Sequence, residues 1–257
     1  TAGRTTLNGE GLQHQDGHSL LHASTVPYCR SWDPAYAYEL ATIIRHGINE
    51  MWGQNLDVFH YIMLYNQNEQ QPAKPEGIDH KIIKGAYKII EPKNNDKPLV
   101  RLLGSGPILS HVLEASKILA DYDVDSEVWS VTSYGELRRE GLESQRKNRL
   151  YPDMESSSYV SECFGDLTTT IAVSDYIIAV PEMIQRWVGG NYVVLGTDGF
   201  GRSDDRTELR RFFEIDTESI VLATISALER EGRVNTGLTE EIIDKFKISR
   251  ERNDKTN

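Results

Sequence analysis

Residues 99–107 have the sequence Leu99-Val100-Arg101-Leu102-Leu103-Gly104-Ser105-Gly106-Pro107. The apolar run has the length of a buried strand, the two glycines allow a tight turn, and proline is favoured in the first turn of a helix. After the proline, apolar residues recur along one helical face at Ile108, Leu109, Val112, Leu113 and Leu119. The stretch therefore predicts a strand, a turn and a helix, the unit from which parallel α/β sheets are built.

The same alternation continues toward the C-terminus. Further strands are predicted over residues 127–132, 170–173 and 192–195, and helices over 134–147 and near 176–188. Three more helices are predicted near residues 206–213, 218–231 and 238–247. Strands that alternate with helices indicate an α/β fold with a mostly parallel sheet and helices on both faces.

The chain before this region is less regular. Residues 1–24 are rich in Gly, Thr, Ser and His and are predicted to form a loop, followed by a short strand within 25–32. Asp33 and Pro34 are predicted as the N-cap and first residue of a helix that continues to Trp52. The apolar, aromatic residues 58–64 predict a buried strand.

The chain has 257 residues, enough for one large or two ordinary domains. Residues 91–98 are polar and contain two prolines, so they mark the predicted domain boundary. We therefore expect one domain over residues 1–90, a second over 91–248, and a charged tail over 249–257.

Composition narrows the classes of function. The formal net charge is -11, which disfavours binding to nucleic acid or to an anionic membrane surface, and solubility explains the acidity more simply. No apolar run predicts a transmembrane helix and no signal peptide is recognised, so a cytoplasmic location is expected. The two cysteines, Cys29 and Cys163, form no CxxC pair, which disfavours a disulfide framework or a structural zinc site.

Two loops at predicted strand ends carry candidate ligand-binding groups. The Gly104-Ser105-Gly106 turn precedes a helix and can bind an anion through its amides, but it matches neither GxGxxG nor Walker A, and a structural role is favoured. After the strand over 192–195, a polar loop carries Asp198, Arg202, Asp204 and Arg206. These side chains can bind a ligand, or they can pair with one another and cap the following helix, which is favoured; the function of the loop stays open.

The third candidate is the loop over residues 9–19. It contains His14 and His18, spaced as metal ligands can be, but its glycines disfavour a helix and no third ligand is apparent. A single imidazole that works by acid–base chemistry or hydrogen bonding is the more credible site, because imidazole titrates near neutral pH. A surface loop with incidental histidines explains the pattern equally well.

Five stretches of the sequence resemble the homodimeric pyruvate dehydrogenase E1 component of bacteria. In one-letter code they are TTLNGEGLQHQDGHS at 5–19, DPAYAYE at 33–39, LLGSG at 102–106, SVTS at 130–133 and LGTDGFGRSD at 195–204. The resemblance runs from about residue 3 to about residue 248. It implies a transketolase-like C-terminal domain, preceded by the tail end of a pyrimidine-binding α/β domain.

The resemblance also implies an activity and its residues. Members of this family use thiamine diphosphate and magnesium to decarboxylate pyruvate oxidatively, and they pass the acetyl unit to a lipoyl group of the E2 dihydrolipoyl acetyltransferase. His14 matches the active-site histidine of the family loop and is expected to hydrogen-bond to, or exchange protons with, substrate oxygens. Glu10 and Gln13 are expected to bind substrate in the same loop. The expected partners are the upstream portion of an E1 subunit, E2, and a second copy in a homodimer.

Two departures from the family pattern limit what this chain is expected to do by itself. The family's Gly-Asp-Gly triplet, which serves magnesium and the diphosphate, is missing, and Asn94-Asn95 has no such triplet before it. The glutamate that activates the aminopyrimidine is missing as well. Because these groups are missing, we expect the chain to bind no cofactor tightly and to be inactive alone. Residue 1 is not methionine, which also suggests a piece of a longer or split subunit. A non-catalytic module for dimerisation or partner docking is the alternative.

Overall fold

The structure is a computed structural model that describes residues 3–7, 11–93, 96–153 and 156–251. Within these ranges, seven strands form two sheets. The strands are β1 (Cys29–Trp32), β2 (Phe59–Ile62), β3 (Ala86–Ile90), β4 (Leu99–Gly104), β5 (Asp125–Val131), β6 (Thr169–Val173) and β7 (Tyr192–Leu195). The first two pair in parallel, and the others form a five-stranded sheet in the order β3-β5-β4-β6-β7.

The five-stranded sheet is parallel except at one edge, where β3 runs antiparallel to β5. The α-helices of the described ranges are α1 (Ser19–Ala23), α2 (Ala37–Ile48), α3 (Asp79–Lys84), α4 (Leu109–Ala120), α5 (Tyr134–Leu150), α6 (Tyr159–Phe164), α7 (Arg206–Phe213), α8 (Thr217–Arg230) and α9 (Leu238–Phe246). None of them has the length and apolar character needed to cross a membrane.

Apolar side chains fill both faces of the five-stranded sheet. On one face, α4, α7, α8 and α9 bury residues such as Val112, Phe213 and Ile225 against β4 and β6. On the other face, α5 and α6 bury Leu137 and Phe164 against the same strands. The predicted α/β fold, with a mostly parallel sheet between two helical layers, is confirmed.

The start of α2 differs from the prediction. The helix begins at Ala37 with Tyr36 as N-cap, and the buried carboxylate of Glu39 accepts hydrogen bonds from the backbone N–H groups of Ala35 (2.5 Å) and Tyr36 (3.0 Å). Asp33 is not the cap, because its backbone hydrogen-bonds instead to residues that follow β4 and β5. Its N–H donates to the carbonyl of Thr132 (2.8 Å), and its carbonyl accepts from the N–H of Gly106 (3.1 Å). A π-helical turn over Asn49–Gly53 follows α2.

Several other elements were predicted wrongly or missed. The segment near 176–188 contains a 3₁₀ helix over Pro181–Trp187 rather than an α-helix. The strand predicted within 58–64 forms as β2, but Phe59 is 49% and Tyr61 38% exposed, because no described element covers that face. The predicted N-terminal loop contains the short helix α1, and α3 and α6 were not predicted. Short helices carry too few residues for a clear period.

Strand β3 was also missed, and it bears on how the domains are divided. It precedes the proposed boundary after residue 90, yet it pairs with β5 of the five-stranded sheet. An edge strand of five residues that runs antiparallel to its neighbour has no βαβ pattern to reveal it. The boundaries at residues 90 and 248 stay a proposal.

Candidate functional site

The carboxyl ends of both sheets meet in one region of the molecule. Ser105 follows β4, Asp175 follows β6 and Asp198 follows β7, while Asp33 and Tyr65 come directly or closely after β1 and β2. Open α/β sheets bind ligands at this edge, because the loops that leave the strands converge there. The candidate site is therefore built at the junction of the two sheets.

The N-terminal segment threads into this junction and is held by a buried carboxylate. Asp175 accepts hydrogen bonds from the Thr5 backbone N–H (2.9 Å), the Thr5 hydroxyl (2.7 Å) and the Thr6 hydroxyl (2.6 Å). All three residues are fully buried. Burial raises the pKa of Asp175, and the threonine hydroxyls and the Arg210 guanidinium act in the opposite direction. The arrangement fixes the start of the loop that carries His14.

Two arginines of α7 hold the same segment from the other side. Arg206 donates to the carbonyl of Thr6 (2.8 Å), and Arg210 donates to the Thr5 hydroxyl (3.3 Å) and to Gln67 (2.6 Å). Arg210 also contacts Nε2 of His111 at 3.0 Å. A guanidinium can only donate, so Nε2 accepts and the other ring nitrogen is free to donate to the Thr217 hydroxyl.

That tautomer agrees with the electrostatics of His111. Burial lowers the pKa of His111 to about 4, and the neighbouring Arg210 charge acts in the same direction. The imidazole is therefore neutral near pH 7 and serves as a structural acceptor. His111 therefore has a structural role in α4.

A second buried carboxylate, Asp33, lies between the two sheets. The Tyr65 hydroxyl donates to Oδ1 of Asp33, and it lies 3.5 Å from the Tyr176 hydroxyl. Burial raises the pKa of Asp33 to about 7, against the effect of the hydrogen bond from Tyr65. Oδ2 has no hydrogen-bond partner among the described residues, which favours a proton on that oxygen.

Asp33 predicts a pH dependence of stability. Its folded pKa of about 7 lies above the ordinary value of 3.8, so the unfolded chain ionises first as pH rises. Stability should fall between about pH 4 and pH 7, by on the order of 4 kcal/mol. Asp33→Asn keeps an acceptor for Tyr65 without a charge and should remove most of this slope. Urea unfolding at pH 5 and pH 8 measures the difference, with the exposed Asp57→Asn as control. Equal pH slopes for wild type and Asp33→Asn would contradict the assignment.

Glycine at the Gly104-Ser105-Gly106 turn is explained by close packing. Gly106 has a φ of +48°, and a Cβ atom there would lie 2.5 Å from Oδ1 of Asp33 and 2.7 Å from the Tyr65 hydroxyl. A side chain has no room at this point. The close packing agrees with the structural role that the sequence favoured for this turn.

The loop after β7 caps the following helix, but through Asp205, which was not among the four side chains singled out in the sequence. Asp205 is the N-cap of α7 and accepts from the Glu208 N–H (3.0 Å), while Asp198 accepts from the Ile178 N–H (3.0 Å). The loop also contacts the His14 loop, because the Arg202 N–H donates to the Gln15 side chain (2.7 Å). The helix spans Arg206–Phe213, as predicted.

The predicted catalytic residue lies on an exposed turn. His14 ends a 3₁₀ turn over Leu12–His14, and the side chains of this turn are exposed, including that of Gln13. Glu10 lies outside the described residues. Nδ1 of His18 lies 3.3 Å from the Arg4 guanidinium. Among the described residues, no group of three His, Cys, Asp or Glu side chains is placed to hold a metal ion.

Sequence reasoning missed the buried contacts that hold the candidate site. Asp175 could have been predicted as a site residue from the sequence, because it is an acidic residue just after a predicted strand, at the edge where such sheets bind ligands. Thr5 and Arg210 gave no comparable signal. Thr5 is separated in the sequence by 170 residues from Asp175 and by 205 residues from Arg210, although it hydrogen-bonds to both.

Comparison with protein families places this arrangement in a class. A model described as the transketolase-like TK C-terminal domain matches residues 85–216, about half of the chain. A model described as the pyruvate dehydrogenase E1 component middle domain matches residues 1–72. The chain therefore belongs to the transketolase-like C-terminal domain family.

Two curated relatives refine the class, and both are named pyruvate dehydrogenase E1 component. The Pseudomonas aeruginosa relative is 51% identical over 256 residues, which cover 98% of this chain and 29% of that protein. The Escherichia coli relative is 46% identical over 252 residues, covering 96% of this chain and 28% of that protein. The chain is thus a homologue of these E1 components and spans less than a third of their length.

Solved structures support the fold independently. Transketolase from Leishmania mexicana aligns with 90% of this chain and 30% of its own, at a TM-score of 0.66 and 16% identity. A split-gene transketolase, described as an inactive β4 tetramer, aligns with 85% of this chain and 63% of its own, at a TM-score of 0.55 and 17% identity. At such identities the likeness concerns the fold alone.

Proposed function

We propose that this chain supplies the C-terminal part of the active site of a pyruvate dehydrogenase E1 component. The observation that carries the proposal is the His14 turn, which is exposed at the junction of the two sheets while its flanking residues are hydrogen-bonded into that junction. An exposed imidazole on an anchored loop suits a reacting group. The homology to E1 components makes pyruvate the proposed substrate.

Within this proposal, His14 is the catalytic residue, and Glu10 and Gln13 bind substrate. His14 can donate a hydrogen bond to a substrate oxygen, or it can exchange a proton with that oxygen, because imidazole titrates near neutral pH. Either role stabilises charge that develops on oxygen during the reaction. His14 is an exposed residue, as a group that meets substrate must be.

The cofactor is a separate part of the proposal. Transketolase-like E1 enzymes generally depend on thiamine diphosphate. The Gly-Asp-Gly triplet that serves magnesium and the diphosphate in the family is missing from this sequence, so the metal and the diphosphate are assigned to a polypeptide portion upstream of this chain in the assembled enzyme. The proposed partners are that upstream portion, the E2 dihydrolipoyl acetyltransferase and a second copy of the subunit, and the proposed location is the cytoplasm.

Complementation tests the proposed function directly. The chain alone, with thiamine diphosphate, magnesium and pyruvate, is expected to show no turnover, because its sequence lacks the family's Gly-Asp-Gly triplet. An upstream polypeptide from the Pseudomonas aeruginosa relative, carrying the diphosphate-binding domain and most of the pyrimidine-binding domain, should restore it. Pyruvate-dependent reduction of an electron-accepting dye is the measurement. Turnover by the purified chain alone, or none from the mixture, would contradict the proposal.

A non-catalytic module for dimerisation or docking is the second candidate. Apolar side chains are exposed at the end of α2 and just beyond it, with Ile48 58%, Trp52 88% and Phe59 49% exposed. An apolar surface of this kind marks an interface with another polypeptide. Under this alternative the chain still assembles with the upstream portion, but the complemented activity does not respond to substitution of His14.

A further inference from the structure

Gln15 is buried although it directly follows the exposed His14. Its side chain points into the loop after β7 and hydrogen-bonds both backbone groups of Arg202. The carboxamide nitrogen donates to the Arg202 carbonyl, and the carboxamide oxygen accepts from the Arg202 N–H at 2.7 Å. Both hydrogen-bonding sides of the Gln15 carboxamide are therefore occupied by a single backbone residue. Such a paired contact fixes orientation as well as distance.

Gly201 shows how closely the two loops pack. A Cβ atom at this position would lie 2.7 Å from the Gln15 carboxamide oxygen and 2.9 Å from the carbonyl oxygen of Leu12. Leu12 begins the turn that ends at His14. Any side chain at position 201 would therefore push the His14 turn away from the loop after β7.

The residues after Gln15 are fixed as well. The Asp16 carboxylate accepts from the N–H groups of His18 (3.0 Å) and Ser19 (2.9 Å). The carbonyl of Gly17 accepts from the N–H of Ile177 (3.1 Å), which lies in the loop after β6. The His14 turn is thus held by loops that follow two different strands of the five-stranded sheet.

We propose that Gln15, together with the backbone of Gly201 and Arg202, positions His14 for its reaction with substrate. This assigns a function to the loop after β7, namely holding the catalytic turn in place. The physical reason is entropic and geometric: a reacting group that is already oriented avoids the cost of ordering in the transition state, and a misplacement of about 1 Å can cost about a hundredfold in rate. The inference rests on the proposed function.

The first test uses the isolated chain and needs no activity. Gln15→Ala removes both hydrogen bonds and should raise the hydrogen-exchange rates of the His14 and Gln15 amides, which donate to Gly11 and Leu12 in the wild type. Gln15→Glu keeps the acceptor and loses the donor, so its rates should lie between the two. The exposed Gln185→Ala is the matched control. Unchanged exchange in Gln15→Ala, with an unchanged melting temperature, would overturn the proposed contact.

The second test asks whether Gln15 acts through His14. In the complemented enzyme, Gln15→Ala should lower kcat about ten- to a hundredfold with little change in KM, and Gln15→Glu should lower it less. In a His14→Ala background, Gln15→Ala should cost nothing further, because the residue it positions is gone. Equal losses in both backgrounds would overturn the positioning role.

The outcomes separate this inference from the proposed function. If His14→Ala leaves activity unchanged, the proposed function fails, and the positioning role fails with it even where hydrogen exchange responds to Gln15→Ala. If His14→Ala lowers activity but Gln15→Ala does not, only the positioning role fails. Gly201→Ala provides an independent variant that leaves both side chains intact and should reproduce the loss in kcat seen with Gln15→Ala.

Discussion

His14→Ala is expected to lower the kcat of the complemented enzyme about ten- to a thousandfold, with a smaller effect on the KM for pyruvate. This is the scale of a lost acid–base group or of one lost hydrogen-bond donor in a transition state. The turn that carries His14 is held through Gln15 and the loop after β7, so the loss should not reflect collapse of the loop. Steady-state kinetics with the dye acceptor is the measurement.

A second substitution at the same position separates the two chemical roles of His14. His14→Gln keeps a hydrogen-bond donor but cannot titrate near neutral pH. It should retain most of the activity if His14 only hydrogen-bonds to substrate, and little if His14 exchanges a proton. His80→Ala, an exposed histidine on α3, is the matched control and should be silent. Full activity in His14→Ala would return the loop to a structural role and favour the non-catalytic module.

Arg101→Met is expected to lower the free energy of unfolding by about 3–5 kcal/mol. Arg101 is 2% exposed in the middle of β4. Its guanidinium donates to Glu127 of the neighbouring strand β5 and to both carboxylate oxygens of Asp166, each at 2.9 Å. Removing Arg101 takes the buried cationic partner from the buried Glu127 and leaves that carboxylate only the partly exposed Lys88, which is costly.

Two further variants make this prediction specific. Arg101→Met combined with Glu127→Met should recover part of the stability, because an apolar pair of similar volume replaces the buried charges. Arg211→Met removes an exposed pair with Glu208 (67% and 49% exposed) and should cost no more than about 1 kcal/mol. Urea unfolding followed by circular dichroism gives the values. A cost for Arg101→Met as small as that for Arg211→Met would show that Lys88, 2.8 Å from Glu127, compensates that carboxylate by itself.

The sequence predicted the long, regular elements well. Strands β4, β5, β6 and β7 and helices α4 and α5 form close to their predicted positions. The elements it missed are short: β3 has five residues and α3 six. The Asp33-Pro34 pair predicted the start of a helix. Asp33 is instead buried between the two sheets and does not cap the helix.

For the candidate site too, the sequence predicted some features and missed others. Residue types in the loop over 9–19 left a working imidazole and a surface loop equally open, and the family resemblance then singled out His14, with Glu10 and Gln13 proposed beside it. The contacts that hold the loop were not visible. Gln15 gave no signal of its own, although its partner Arg202 was among the polar residues noted in the loop after β7.

The sequence by itself determined the α/β class, the sheet with helices on both faces and the candidate imidazole, because periodicity and motif order are local properties of a chain. Only the tertiary structure decided which groups meet. Asp175 with Thr5, Asp33 with Tyr65, and Gln15 with Arg202 are pairs separated by 170, 32 and 187 residues. Such pairs are set when strands side by side in a sheet bring their carboxyl ends together, and that geometry leaves no repeating pattern in the sequence.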